Sequence, residues 1–183
     1  PDDSLWVTEA RGYKVTKIDA GNGGKRTVLN LSNNKDFNRP DITGGQWPQG
    51  GLMGLALHPK LLSGFPYVYL AYVYQFDNCI AGNNGCFFWT RVVRYTYNAS
   101  NGSLGSPVIM LDALPGSNDH NSGRITIGPD PADPTDTTKF KLFYTIGDMG
   151  AGQFNNLNRT NNAQNINVFE GKILRLNLQP DAA

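Results

Sequence analysis

The chain has 183 residues, with 16 Lys and Arg against 15 Asp and Glu, for a formal net charge of +1. That length supports one domain with a real core, and the balanced charge gives no reason to expect nucleic acid or an anionic membrane as partner. No run approaches the roughly 20 apolar residues that a membrane-spanning helix needs, and Pro1-Asp2-Asp3-Ser4-Leu5-Trp6 has neither the basic start nor the apolar core of a signal peptide.

Helical periodicity is missing almost throughout. Short alternating runs rich in Val, Ile, Tyr, Thr and Leu recur between clusters of Gly, Asn, Pro and Asp, which predicts strands and turns. Leu5-Trp6-Val7-Thr8-Glu9 and Tyr13-Lys14-Val15-Thr16-Lys17-Ile18 open the chain, and Asn22-Gly23-Gly24 turns into Arg26-Thr27-Val28-Leu29-Asn30-Leu31. These read as an up-and-down meander, apolar on one face.

Residues 32–50 form a long polar stretch ending in Gln46-Trp47-Pro48-Gln49-Gly50. A loop that long inside a compact fold points to function. Gly51-Leu52-Met53-Gly54-Leu55-Ala56-Leu57 and Tyr67-Val68-Tyr69-Leu70-Ala71-Tyr72-Val73-Tyr74 follow, nearly continuous apolar runs that predict strands covered on both faces. His58, before Pro59, reads as a turn residue.

Cys79 and Cys86 flank a Gly/Asn-rich interior. The spacing suits a disulfide at a hairpin tip and an oxidising compartment, with two free thiols as the other reading. Trp89-Thr90-Arg91-Val92-Val93-Arg94-Tyr95-Thr96-Tyr97 alternates, and Pro107-Val108-Ile109-Met110-Leu111 leads into the polar loop Gly116-Ser117-Asn118-Asp119-His120-Asn121-Ser122-Gly123. Strands at 124–128 and 140–146 come next, parted by the Asp/Pro-rich stretch 129–136, which lacks the spacing of a calcium loop and reads as solvated. A second long polar loop, 148–167, precedes the strand Gly171-Lys172-Ile173-Leu174-Arg175-Leu176-Asn177-Leu178.

About ten strands in sequential meanders predict an all-β fold. Their grouping suits a β-propeller, here an incomplete arc of about two to three blades, since propellers close with roughly 4 to 8. A sandwich is the other architecture the pattern allows. Four matches to the glycosylation sequon, at Asn30, Asn98, Asn101 and Asn158, carry little weight in so Asn-rich a chain.

The chemistry concentrates at His120, one of only two histidines. Imidazole is the commonest general base, and a neighbouring carboxylate can fix its tautomer. A functional base and a plain polar turn, in which Asp and Asn bond the backbone, are both open on spacing alone. Gly147-Asp148-Met149-Gly150-Ala151-Gly152 follows a strand but precedes no helix, so it is a poor phosphate loop.

Five stretches taken together resemble a known family: Leu5-Trp6-Val7-Thr8-Glu9, Gln49 through Pro59, Asp119-His120-Asn121-Ser122-Gly123-Arg124, Tyr144 through Gly150, and Gly171 through Leu178. In this order they resemble the N-terminal part of the soluble pyrroloquinoline-quinone (PQQ)-dependent glucose dehydrogenases of the glucose/sorbosone dehydrogenase family. The resemblance covers nearly the whole chain. It implies a six-bladed propeller, of which residues 1–183 are the N-terminal portion of a single domain, with PQQ on its top face and calcium beside it. It also implies oxidation of an aldose at C1 to the lactone, an external electron acceptor, a homodimer as the full-length assembly, and a periplasmic or secreted location.

By motif, His120 matches the family's base and Asp148 the carboxylate that orients it. Asp119 and Gln49 match residues beside the sugar, Gln49 and His120 also meeting the cofactor. Gln153 and Phe154 match a pair lining the sugar site, where the family commonly has leucine at the second position. Departures are as informative: the family's calcium ligands, its cofactor-gripping arginines and lysine, and the aromatic wall of the sugar site lie further along the chain. The 148–171 loop is shorter than usual and the cysteine loop is not general. The resemblance therefore implies a fragment inactive on its own. Two other functions fit the same pattern: a non-catalytic propeller binding a glycan or protein, and a metal-dependent sugar-lactone hydrolase.

Overall fold

A computed structural model describes residues 3–33, 50–80, 82, 84–137 and 139–179. Among these are ten strands: β1 (Leu5–Glu9), β2 (Lys14–Ile18), β3 (Lys25–Asn30), β4 (Leu52–Leu57), β5 (Tyr67–Cys79), β6 (Cys86–Asn98), β7 (Ser103–Ser117), β8 (Ser122–Gly128), β9 (Lys141–Ile146) and β10 (Ile173–Asn177). They form three sheets, ordered β1-β2-β3, β4-β5-β6-β7 and β8-β9-β10, with every neighbouring pair antiparallel.

The middle sheet explains the continuous apolar run of β5. Successive strand residues point to opposite faces, and both faces here are covered. Val68, Leu70 and Tyr72 join Val93 and Tyr95 against Tyr13, Val15 and Val28 of the first sheet. Tyr69 and Ala71 join Val92 and Leu114 against Ile125, Leu142, Tyr144 and Ile146 of the third. Each fully buried apolar side chain contributes about 1.5–3 kcal/mol relative to exposure, so these two interfaces hold the sheets together.

Two buried phenols pin the same interfaces. Tyr13 Oη donates to Val73 O at 2.9 Å, and Tyr69 Oη donates to Leu178 O at 2.8 Å. Burial pushes both phenols well above their ordinary pKa, so they remain donors at any physiological pH.

The sheets stand as consecutive blades with β1, β4 and β8 along one edge, β4 touching both of the others. A 490 Å³ cleft runs between these three edge strands, lined by Trp6 and Thr8, by Met53, Gly54 and Leu55, and by Ser122, Arg124 and Ile125. The fold is an incomplete propeller arc whose inner wall is this cleft.

The structure lengthens three of the expected strands. β5 and β6 continue past the alternating runs to the cysteines, where Cys79 pairs with Cys86 in register and in a disulfide. β7 starts at Ser103 and runs through Ser117, so the first residues of the expected polar loop are strand. Positive φ at Ser106 and Ala113 and shifts of register along β7 mark the irregularities that broke its pattern.

His58 is the expected turn residue but is buried, stacked on Phe65 at 4.9 Å, with Nδ1 accepting from the Lys60 N–H. The 129–136 stretch is a surface turn in which Lys139 and Lys141 pair with Asp133 and Asp130. Of the expected loop at 32–50, residues 34–49 lie outside the described residues, Gln49 among them. No helix among the described residues is long and apolar enough to cross a membrane.

Candidate active site

β7 ends at Ser117 and β8 begins at Ser122, so one short turn must reverse the chain between two sheets. Asn121 closes it from inside. Its Oδ1 accepts from the Ser117 N–H at 2.7 Å and its Nδ2 donates to Ser117 O at 2.6 Å. Asn121 and Asp119 are buried while His120, between them, stands partly in solvent.

His120 adopts φ of 50° and Ser122 φ of 67°, a left-handed conformation that non-glycine residues seldom take. Met149 and Phe154, in the facing loop, share it, with φ of 63° and 44°. Backbone strain of this kind persists where surrounding structure enforces it, and it clusters at functional sites.

The second half of the site arrives with β9. Because β9 is antiparallel to β8, with Ile146 opposite Ser122, its C-terminal end reaches the same rim. Gly147 passes directly beneath the histidine turn: its N–H donates to Asn121 O at 3.3 Å, and a β-carbon there would lie 1.8 Å from His120 O. Only glycine fits so close an approach.

Asp148 follows. Its Oδ1 lies 2.9 Å from His120 Nδ1 and also accepts the Gly150 N–H at 3.1 Å. Burial works to raise the Asp148 carboxyl, but the hydrogen bonds from His120 and Gly150 outweigh it and hold the group below the ordinary carboxylate range. An ionised carboxylate only accepts, so the neutral imidazole carries its proton on Nδ1 and its lone pair on Nε2. That Nε2 lies 3.8 Å from Asp119 Oδ1, too far to bond it. The arrangement is an oriented base with a second carboxylate beside it, able to take a proton from a hydroxyl that Asp119 also engages.

The structure thus brings His120, Asp119 and Asp148 together. Gln153 and Phe154 belong to the loop that Asp148 opens, where the Gln153 N–H donates to Gly150 O at 3.0 Å, and both side chains are exposed, Phe154 by 79%. Gly50, the first described residue after Gln49, lies against the Asn121 amide, where a β-carbon on Gly50 would be 3.2 Å from Asn121 Nδ2. Gly50, just before β4, therefore lies at this rim.

Three residues with structural roles here were not singled out from sequence: Asn121, Gly147 and Asn156. Asn156 is fully buried, its Oδ1 accepting from Ser117 Oγ at 3.3 Å. Among the described residues no group of three or more His, Cys, Asp or Glu side chains is placed to hold a metal ion.

The sequence profile of the family described as Glucose / Sorbosone dehydrogenase matches residues 1–183. The chain belongs to this family. It is 35% identical over 189 residues to quinoprotein glucose dehydrogenase B of Acinetobacter calcoaceticus, covering 97% of this chain and 35% of that protein. The PQQ-bound aldose sugar dehydrogenase of Streptomyces coelicolor superposes with a TM-score of 0.68 at 25% identity, over 97% of this chain and 42% of that one. The apo soluble aldose sugar dehydrogenase of Escherichia coli, at 18% identity and a TM-score of 0.58 over 100% of this chain and 44% of its own, shares the fold. The chain spans about a third of the curated relative and about two fifths of these solved chains.

Proposed function

We propose that the protein to which this arc belongs oxidises the C1 hydroxyl of an aldose to the lactone, with PQQ as hydride acceptor and His120 as general base. The observation that carries this is the 2.9 Å bond from His120 Nδ1 to Asp148, which sets the tautomer so that Nε2 is the basic nitrogen, on the side of Asp119. Family membership and the PQQ-bound relative support the choice of cofactor.

The donor set fits one side of such a site. An oriented imidazole, a carboxylate acceptor and the nearby loop of Gln153 and Phe154 suit a polyol held by its hydroxyls. His120 and Gln49 are the residues of this arc that would touch the cofactor, and the cations for its carboxylates would come from beyond the arc. When bound, the quinone supplies the two-electron acceptor for the C1 hydride.

The chain's own part is proton handling and orientation. Nε2 takes the C1 hydroxyl proton, Asp148 stabilises the imidazolium that forms, and Asp119 holds a neighbouring hydroxyl. Gln153 and Phe154 border the sugar, the phenyl ring narrowing the space relative to a leucine. Calcium would be held outside this arc, and the arc by itself would be inactive. The Cys79–Cys86 disulfide fits a periplasmic or secreted protein, and an external electron acceptor and a dimer of full-length chains belong to the same reading.

The test is product analysis on the full-length protein incubated with an aldose, calcium and a redox dye, with and without PQQ. Lactone appearing only with the quinone is the expected result. Equal dye reduction without quinone, or no lactone with it, would overturn the reading.

A further inference from the structure

β5 and β6 have 13 residues each and β7, paired with β6 as far as Phe87 opposite Ser117, has 15, whereas β4 has 6. The β5–β6 hairpin therefore runs past the end of β4 toward the rim that carries His120. The disulfide closes the end of this overhang. The tip does not project freely into solvent.

Four contacts dock the tip on the site loops. Asn158 Nδ2 donates to Gly82 O at 2.7 Å, Arg159 Nη1 donates to Cys86 O at 3.3 Å, and the Cys86 N–H reaches Asn118 Oδ1 at 3.4 Å. The Arg159 guanidinium also covers the Phe87 ring at 4.3 Å. Phe87 is itself paired in register with Ser117, where the histidine turn begins.

Asn156 stands at the centre of these contacts. Gly85 of the tip is pressed against it so closely that a β-carbon on Gly85 would fall 1.9 Å from Asn156 Oδ1. The same Asn156 Oδ1 accepts from Ser117 Oγ, and the Asn156 backbone carbonyl accepts the Gly152 and Arg159 N–H groups, each at 3.0 Å. Its Nδ2 is buried without a hydrogen-bond partner and borders the turn where Gly150 meets Asp119. A buried amide N–H left unbonded costs stability, so the packing around it holds it there.

We propose that Asn156, wedged in place by the disulfide-closed tip, is a positioning residue for the His120–Asp119–Asp148 site. Opening the Cys79–Cys86 bond releases the wedge and lowers turnover while the blades stay folded. The inference rests on these three residues forming the active site. The blades do not depend on the tip, because the two core clusters that join them lie on the far side of the overhang, around Val68 to Tyr72.

The experiment uses the full-length protein, disulfide intact or reduced by dithiothreitol, which gives up two electrons and two protons and closes to its cyclic disulfide. Wild type and Asn156→Ala are compared in both states for kcat and KM. The His120 tautomer is read without cofactor from the imidazole nitrogen shifts, assigned with His120→Gln. Reduction and Asn156→Ala should each lower kcat about 10- to 100-fold, the scale expected of a small misplacement of reacting groups, with KM changing less. Each should also shift the imidazole away from the Nδ1–H form.

Because both changes act through one contact, reduced Asn156→Ala should lose no more than either change alone. If Asn156→Ala does not fold, Gly85→Ala, which drives a methyl into the Asn156 amide, is measured in its place. Unchanged kcat and an unchanged His120 spectrum after reduction, or losses that multiply, would overturn the proposal. If the protein oxidises no sugar, the imidazole spectrum alone still decides the positioning claim.

Discussion

Asp148 Oδ1 and His120 Nδ1 meet at 2.9 Å across 28 residues of sequence, each on the turn that adjoins one of two paired strands. The bond fixes the tautomer, with the proton on Nδ1, which is the form the proposed role of His120 as a base requires. Asp148→Asn preserves shape but lets an amide donate to Nδ1, which puts the proton on Nε2. The comparable loss of an orienting carboxylate in serine proteases costs about 10⁴ in kcat, and a fall of about 10³ to 10⁴ is expected here. Steady-state kinetics on the full-length variant check it, and a loss below ten-fold would contradict the role given to Asp148.

The same carboxylate ties the site to stability at acid pH. Its folded pKa lies below the unfolded value of about 3.9. Its stabilising contribution is therefore complete above that value and disappears as pH falls through the folded one. The stability gap between wild type and Asp148→Asn, from urea unfolding, should narrow as pH drops from 5 toward 2. A gap that does not change with pH would speak against the bond.

His58 gives a second, independent pH signature. Burial, and then the charge of Lys60, lowers its pKa from the ordinary 6.5, so the fold keeps it neutral. Its contribution is complete above the unfolded value of about 6.5 and is lost as pH falls toward the folded one. His58→Asn, which retains an acceptor for the Lys60 N–H, should flatten the stability profile between pH 7 and 5. Persistence of the wild-type slope in that window would rule His58 out as its source.

Strands were legible where alternation reported burial. In β9, Leu142, Tyr144 and Ile146 point to the core, and the sequence pattern followed that period. The extension of β5 and β6 past β4 was not legible, because Gln75 and Asp77 interrupt the apolar run where β5 passes the end of β4. The start of β7 was hidden for a different reason: Gly105, Ser106 and Pro107 break the apolar alternation, and Ser106 bulges at φ of 47°. At the site, His120 stood out as one of only two histidines, and Asp148 was assigned through the motif it shares with the family. Asn121 and Asn156 did not, since an asparagine that clamps a turn looks like any other among so many.

Gly147 turns the close packing of the rim into a prediction. Gly147→Ala places a methyl against His120 O and must displace either the histidine turn or the start of the Asp148 loop. Overpacking of this kind costs about 1–3 kcal/mol, and the proposed activity should fall at least ten-fold in the full-length protein. Gly105→Ala, where the added methyl meets nothing within 4 Å, serves as the neutral control within about 0.5 kcal/mol. Urea unfolding and kcat on both variants separate the two outcomes, and equal behaviour would contradict the geometry.

In the proposed reaction His120 Nε2 takes the proton of the hydroxyl being oxidised. The most direct measurement is kcat for aldose oxidation by the full-length, PQQ-loaded protein against its His120→Gln variant, with sugar and cofactor saturating. A fall of about 10² or more is expected, the contribution typical of a positioned general base. A variant turning over within two- to three-fold of wild type would contradict it.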